Sequence, residues 1–116
     1  MMPEIYINWD NEVLGLLFQR IFKNEPDLGP NKKLFLIDEG PKHGLDFALE
    51  VSKKEENLII FLGALSERDI VYHGDKKYAL RFKELISKKN VRFLQIPIDN
   101  KGILNIYRDL ARTLEG

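Results

Sequence analysis

Four apolar runs punctuate the chain, each stopping at polar or small residues: Ile5-Tyr6-Ile7, Leu34-Phe35-Leu36-Ile37, Leu58-Ile59-Ile60-Phe61-Leu62, and residues 91–98. The first three are continuous or nearly so, which predicts strands buried on both faces of a parallel sheet. The fourth is broken by Arg92 and Gln95 and holds Pro97, so it is expected at a sheet edge. Helical patterns lie between and after these runs. Val13, Leu14, Leu17, Phe18, Ile21 and Phe22 recur at helical spacing, with Asp10 or Asn11 as cap and Pro26 as terminator. Leu45, Ala48 and Leu49 make a weaker second helix. Ser66-Glu67-Arg68-Asp69 resembles a capping box, and the helix it opens breaks near His73-Gly74-Asp75. The next helix turns Tyr78, Ala79, Phe82, Leu85 and Ile86 inward. The last, after Asp99-Asn100, buries Ile103, Ile106, Tyr107, Leu110 and Leu114.

Strands alternating with helices predict an α/β fold: a three-layer α/β/α sandwich around a central, mostly parallel sheet of four to five strands, joined by right-handed crossovers. No repeat, low-complexity tract or interdomain linker interrupts residues 1–116, so a single domain is expected.

Composition narrows the class of partner. Lys and Arg together number 18, as do Asp and Glu, so a general nucleic-acid binder with a basic excess is not expected. Without cysteine there is neither a disulfide framework nor a thiolate zinc site. The longest unbroken apolar run falls far short of the roughly 20 residues that span a bilayer. No secretory signal is visible, and a cytoplasmic protein with no membrane partner is the expectation. His43 and His73 lack any zinc-ligand spacing, and no GxxxxGK[ST], GxGxxG or GxSxG motif occurs.

Ligands of open α/β sheets bind beyond the C-terminal ends of the strands. Strand one delivers Asp10, Asn11 and Glu12 there, and strand two delivers Asp38 and Glu39. Strand three delivers Gly63-Ala64 and strand four Ile96-Pro97. Clustered carboxylates of this kind suit Mg2+, which takes a few acidic ligands and keeps several waters. Asp10 and Asp38 serve equally well as helix caps, and the residues alone leave both readings standing.

In order along the chain, four segments resemble response-regulator receiver domains, a CheY-like, flavodoxin-like family. Asn8-Trp9-Asp10-Asn11-Glu12 is similar to the acidic end of that family's first strand. Residues 34–47, through Asp38-Glu39-Gly40, resemble its phosphoacceptor strand, loop and following helix. Ile59-Ile60-Phe61-Leu62-Gly63-Ala64 resembles the strand that ends in Thr or Ser followed by Ala. Phe93-Leu94-Gln95-Ile96-Pro97-Ile98-Asp99 resembles the aromatic-x-x-Lys-Pro-Phe segment before the last helix.

The resemblance implies a phosphoacceptor at Asp38, with Asp10, Asn11 and Asp38 holding Mg2+ and Gly63, Phe93 and Ile96 at switch positions. It also marks what this chain lacks. Asn11 replaces an acid, Gly63 replaces the hydroxyl, and Ile96 replaces the lysine that would bind the phosphoryl group. Phe93 keeps the switch aromatic without a phenolic OH. Lys42, His43 or Arg68 are the available substitute cations. The distance from Asp10 to Asp38 leaves no room for the usual second β-α unit, while Gly63 to Ile96 is longer than usual. An alternative alignment makes residues 34–37 the edge strand beside strand one, and Asp38 then loses the acceptor position.

Two functional classes are therefore expected within two-component-type signal transduction. One is an active response regulator phosphorylated on Asp38 with Mg2+ by a histidine kinase. The other is a pseudo-receiver, not an enzyme, that binds a kinase or output protein without needing phosphate; Gly63 and Ile96 favour it. A small Mg2+-dependent α/β enzyme using Asp10 and Asp38 is the third reading. By analogy with the family, a partner or a homodimer would meet residues 79–114.

Overall fold

The computed structural model describes residues 5–7, 16, 19–23, 32–38, 44–96 and 100–115. Their order is β1 (Ile5–Ile7), α1 (described at residues 16 and 19–22), β2 (Lys33–Asp38), α2 (Gly44–Val51) and β3 (Asn57–Gly63). There follow α3 (Glu67–His73), α4 (Lys76–Ile86), β4 (Val91–Gln95) and α5 (Asn100–Glu115). The four strands form one all-parallel sheet in the order β1-β2-β3-β4.

Alternation along the strands sorts the apolar side chains onto two faces. Leu34, Leu36, Leu58, Ile60, Leu62 and Leu94 meet Phe22 of α1 and Ile103, Tyr107 and Leu110 of α5. On the opposite face Phe35, Ile37, Ile59, Phe61 and Val91 meet Leu45 and Ala48 of α2, Ile70 of α3, and Phe82 and Leu85 of α4. The result is a helix-sheet-helix sandwich, as the alternating pattern predicts. Fully buried side chains of this size each contribute roughly 1.5–3 kcal/mol on leaving water. The Cα radius of gyration is 13.7 Å, close to the about 13.4 Å expected of a folded chain of this length.

Local signals account for the helix boundaries. Ser66 Oγ accepts from the Asp69 N–H at 3.1 Å and opens α3. Asp75 accepts from the Tyr78 N–H at 3.3 Å and opens α4. Gly74 sits between them because any Cβ there would lie 2.7 Å from the Ile70 carbonyl oxygen. The break at residues 73–75 therefore combines a cap for the following helix with a turn that only glycine fits without a shift of the backbone.

Three expectations need correction or resolution. β1 is an edge strand of half-exposed residues, not a strand buried on both faces. Tyr6, 37% exposed, is covered partly by stacking on Phe35 at 5.0 Å and lies 5.3 Å beneath the Lys33 ammonium. β4 forms the other edge, as its broken pattern predicts. β2 runs between β1 and β3, so the alignment that makes the Asp38 strand an edge does not hold. Finally, the crossovers do not share one hand. β1 to β2 and β2 to β3 step the same way across the sheet, yet α1 packs on one face and α2 on the other. Connections that step alike over opposite faces have opposite hands, so one of the two departs from the right-handed rule.

Candidate functional site at the strand ends

The C-terminal ends of β2, β3 and β4 converge on one rim. Asp38 ends β2, is half-buried, and stands opposite Leu62, which in turn stands opposite Leu94. By strand alternation Asp38 belongs to the face of Leu34 and Leu36, where α1 and α5 pack. Gly63 ends β3, is buried, and stands opposite Gln95. Ile96 follows β4 and donates its N–H to the Gly63 carbonyl at 2.9 Å. Gln95 reaches across to the Ala64 carbonyl with Nε2 at 3.3 Å. The last turns of β3 and β4 are thus tied by main-chain and amide contacts rather than by charge.

Ile96 is only partly buried, but its side chain packs on the apolar cluster of the α1/α5 face. Two strand spacings separate β2 from β4, about 10 Å, with Leu62 and Leu94 continuing the row from Asp38. An apolar surface therefore occupies the side of the rim from which a lysine at position 96 would reach. Phe93 lies deeper and on the other face, 5.0 Å edge-on from Phe82 and 6.3 Å from Phe61. It is locked among rings rather than poised at the rim.

The structure thus brings Asp38, Gly63 and Ile96 to one end of the sheet and sets Phe93 apart from them. Asp10, Asn11, Glu12, Glu39, Lys42, His43 and Pro97 lie outside the described residues, as does the proposed Mg2+ ligand set apart from Asp38. Among the described residues no group of three or more His, Asp or Glu side chains is arranged to hold a metal ion. Arg68, a candidate substitute cation, is the second residue of α3. It lines a groove between α3 and α4 with Glu67, Val71, Tyr72 and Lys83, none of them a strand-end residue.

The opposite end of the sheet carries polar chemistry that the sequence pattern did not single out. Asn90, buried just before β4, points Nδ2 at the carbonyl oxygens of Ser52, Lys54 and Asn57, at 3.1, 3.3 and 2.9 Å. Its own carbonyl accepts from the Ile59 N–H at 2.9 Å. Asn57 donates to the Val51 carbonyl at 2.8 Å, and Ser52 Oγ to that of Leu49 at 2.8 Å. These bonds satisfy main-chain acceptors that burial would otherwise strand. The available signal is an Asn placed directly before an apolar run, at Asn57-Leu58 and again at Asn90-Val91.

Comparison of the chain with family models, with curated proteins and with solved structures finds no match.

Proposed function

We propose that this chain is an atypical receiver-like domain of two-component-type signalling, acting as a protein-interaction module that does not depend on phosphorylation of Asp38. The observation that carries the proposal is Ile96. At the strand end where the resemblance calls for an ammonium group, the chain sets a branched alkyl side chain into an apolar cluster. Gly63, buried at the end of β3, supplies no hydroxyl. A phosphoryl group on Asp38 would meet neither donor from these two strands. Each charge-assisted hydrogen bond so lost is worth on the order of 1.5–3 kcal/mol, roughly one to two decades in the population of a phosphorylated state.

The layout of the sheet supports the receiver-like part of the reading. Flavodoxin-like sheets run 2-1-3-4-5. Removing the second strand with its helix leaves four parallel strands in chain order, with the first and last helices together on one face. That is the arrangement of β1 to β4, with α1 and α5 sharing a face. It also accounts for the odd-handed connection, since the first crossover keeps its face but now steps the other way. Among the described residues no helix is long and apolar enough to cross a membrane.

A second reading, phosphorylation at Asp38, draws on one feature: Asp38 ends an interior parallel strand, where open α/β sheets place ligands. One experiment separates the two. Intact-mass measurement after incubation with Mg2+ and acetyl phosphate is expected to show no phosphoryl addition. Addition that disappears in Asp38→Asn overturns the proposal in favour of the phosphoacceptor.

A further inference from the structure

β4 is an edge strand: β3 pairs with one side of it, and no strand among the described residues pairs with the other. Asn90 accepts from the Ile59 N–H and Ile96 donates to the Gly63 carbonyl, each at 2.9 Å, so residues 90, 92, 94 and 96 turn their main-chain groups toward β3. The N–H and C=O groups of Val91, Phe93 and Gln95 therefore point off the sheet. An open row of this kind is a template for pairing with another chain, and proteins blunt it with charge, proline or a short strand.

One end of this row is closed. Val91 donates its N–H to the Lys88 carbonyl at 3.2 Å, and its own carbonyl accepts from Arg92 Nη1 at 2.9 Å. The same nitrogen donates to the Lys89 carbonyl at 3.1 Å. Alternation puts Arg92 on the α5 face, where its Nε meets Asp109 Oδ2 at 3.4 Å, so the guanidinium turns round the edge to reach the outward carbonyl. A neighbouring strand would lie about 4.8 Å from β4, in the space beside Val91 that the guanidinium holds. Pairing there breaks the contacts to Val91, Lys89 and Asp109 together. Past Gln95 the sequence brings Pro97, which has no N–H to offer. Among the described residues of this edge, Phe93 and Gln95 keep outward main-chain groups without a partner.

We infer that Arg92, anchored by Asp109, guards the outer edge of β4 against pairing with the β4 of a second copy of this chain. Two identical edges can meet antiparallel about a two-fold axis, each residue exchanging N–H and C=O with its opposite. With the guanidinium in place, such a neighbour meets charge and a carbonyl already bonded. Without it, the Val91 carbonyl joins Phe93 and Gln95 in one open row. The inference goes beyond the interaction-module reading and stands without it, because it concerns the edge of the strand and leaves the faces of α4 and α5 to a partner.

Hydrogen exchange at the Phe93 and Gln95 amides, followed at rising protein concentration, tests it. In the unaltered protein, exchange at both is expected to be independent of concentration. In Arg92→Thr, and separately in Arg92→Val, both amides are expected to slow by more than about tenfold as concentration rises. Light scattering is expected to show the mass doubling over the same range. Arg92→Lys keeps a charged donor at the edge and is expected to behave as the unaltered protein. Adding Gln95→Pro to Arg92→Thr removes an outward donor and is expected to make exchange at Phe93 independent of concentration again. The Arg92 side chain is 31% exposed, and melting curves check that each variant remains folded; the measurement on the unaltered protein stands independently of them. Concentration-dependent slowing in the unaltered protein overturns the inference. So does its absence from both neutral variants, its persistence after Gln95→Pro, or its appearance in Arg92→Lys to the same extent as in Arg92→Thr.

Discussion

The two ends of the sheet are built on different principles. At the N-terminal end, Asn90, Asn57 and Ser52 turn buried side chains toward main-chain carbonyls and stitch β3, β4 and the turn after α2 together. At the C-terminal end, where ligands of such sheets bind, Ile96 and Gly63 join through a main-chain hydrogen bond, and apolar side chains fill the space beside them. The buried side-chain hydrogen bonds of Asn90 lie at the end with no expected chemistry, while β3 and β4 are joined at the other end by the Ile96–Gly63 main-chain bond and the exposed Gln95–Ala64 contact. Among the described residues, positions 63 and 96 bring no charge to this end of the sheet, which is why the rim is proposed as a surface for a partner rather than a site that stabilises a phosphoryl group.

The comparison can be broken by substitution, and the largest effect is expected from packing near the C-terminal end. Phe82 is fully buried and shares ring contacts with Phe61 and Phe93. Phe82→Ala is expected to cost about 3–5 kcal/mol, read as a lower urea midpoint with an unchanged slope. At the other end, Asn90→Leu leaves the buried carbonyls of Ser52 and Asn57 without their donor and is expected to cost about 2–4 kcal/mol. Asn90→Asp sharpens this test. It keeps the shape but turns acceptor oxygens toward carbonyl oxygens, so an effect no smaller than that of Asn90→Leu is expected. A neutral outcome for both would show that the N-terminal end is held by packing alone.

Ile96→Lys places an ammonium at the rim. Its alkyl stem can stay on the apolar cluster while the head reaches water, so a loss of about 1–2 kcal/mol is expected in thermal or urea unfolding. Paired with Gly63→Ser, it restores the two groups that a phosphoryl group would need. Any response to acetyl phosphate is expected to arise in that double variant and not in the parent. The smallest effect concerns the exposed pair between Arg92 of β4 and Asp109 of α5, 3.4 Å apart. A double-mutant cycle there is expected to give about 0.2–1 kcal/mol, falling with added salt.

How far the sequence predicts all this depends on the range of the interaction. Interior strands are apolar on both faces whatever surrounds them, so β2 and β3 stand out in the residues 34–37 and 58–62. The inward set of α4 and the break at Gly74 follow from helical spacing and from caps three residues apart. By contrast, Asn90 bonds to carbonyls 33 to 38 residues away, and no local pattern encodes that. An apolar triplet such as Ile5-Tyr6-Ile7 reads the same with one neighbouring strand or two, which is why the edge position of β1 was not legible. The hand of a crossover depends on which face a helix takes, and alternation of elements carries no information on it. At the rim, the residue types at 38, 63 and 96 were legible and the structure gathers them. The seating of Ile96 among apolar neighbours emerges only from packing.

The central claim is that the domain reaches its binding-competent state without phosphate, and amide resonance spectra test it most directly. With Mg2+ and beryllofluoride added at saturating concentration, the account predicts spectra superimposable on those of the untreated protein, including the amides of Asp38, Gly63 and Ile96. Saturable shifts centred on those three residues, absent in Asp38→Asn, would contradict it.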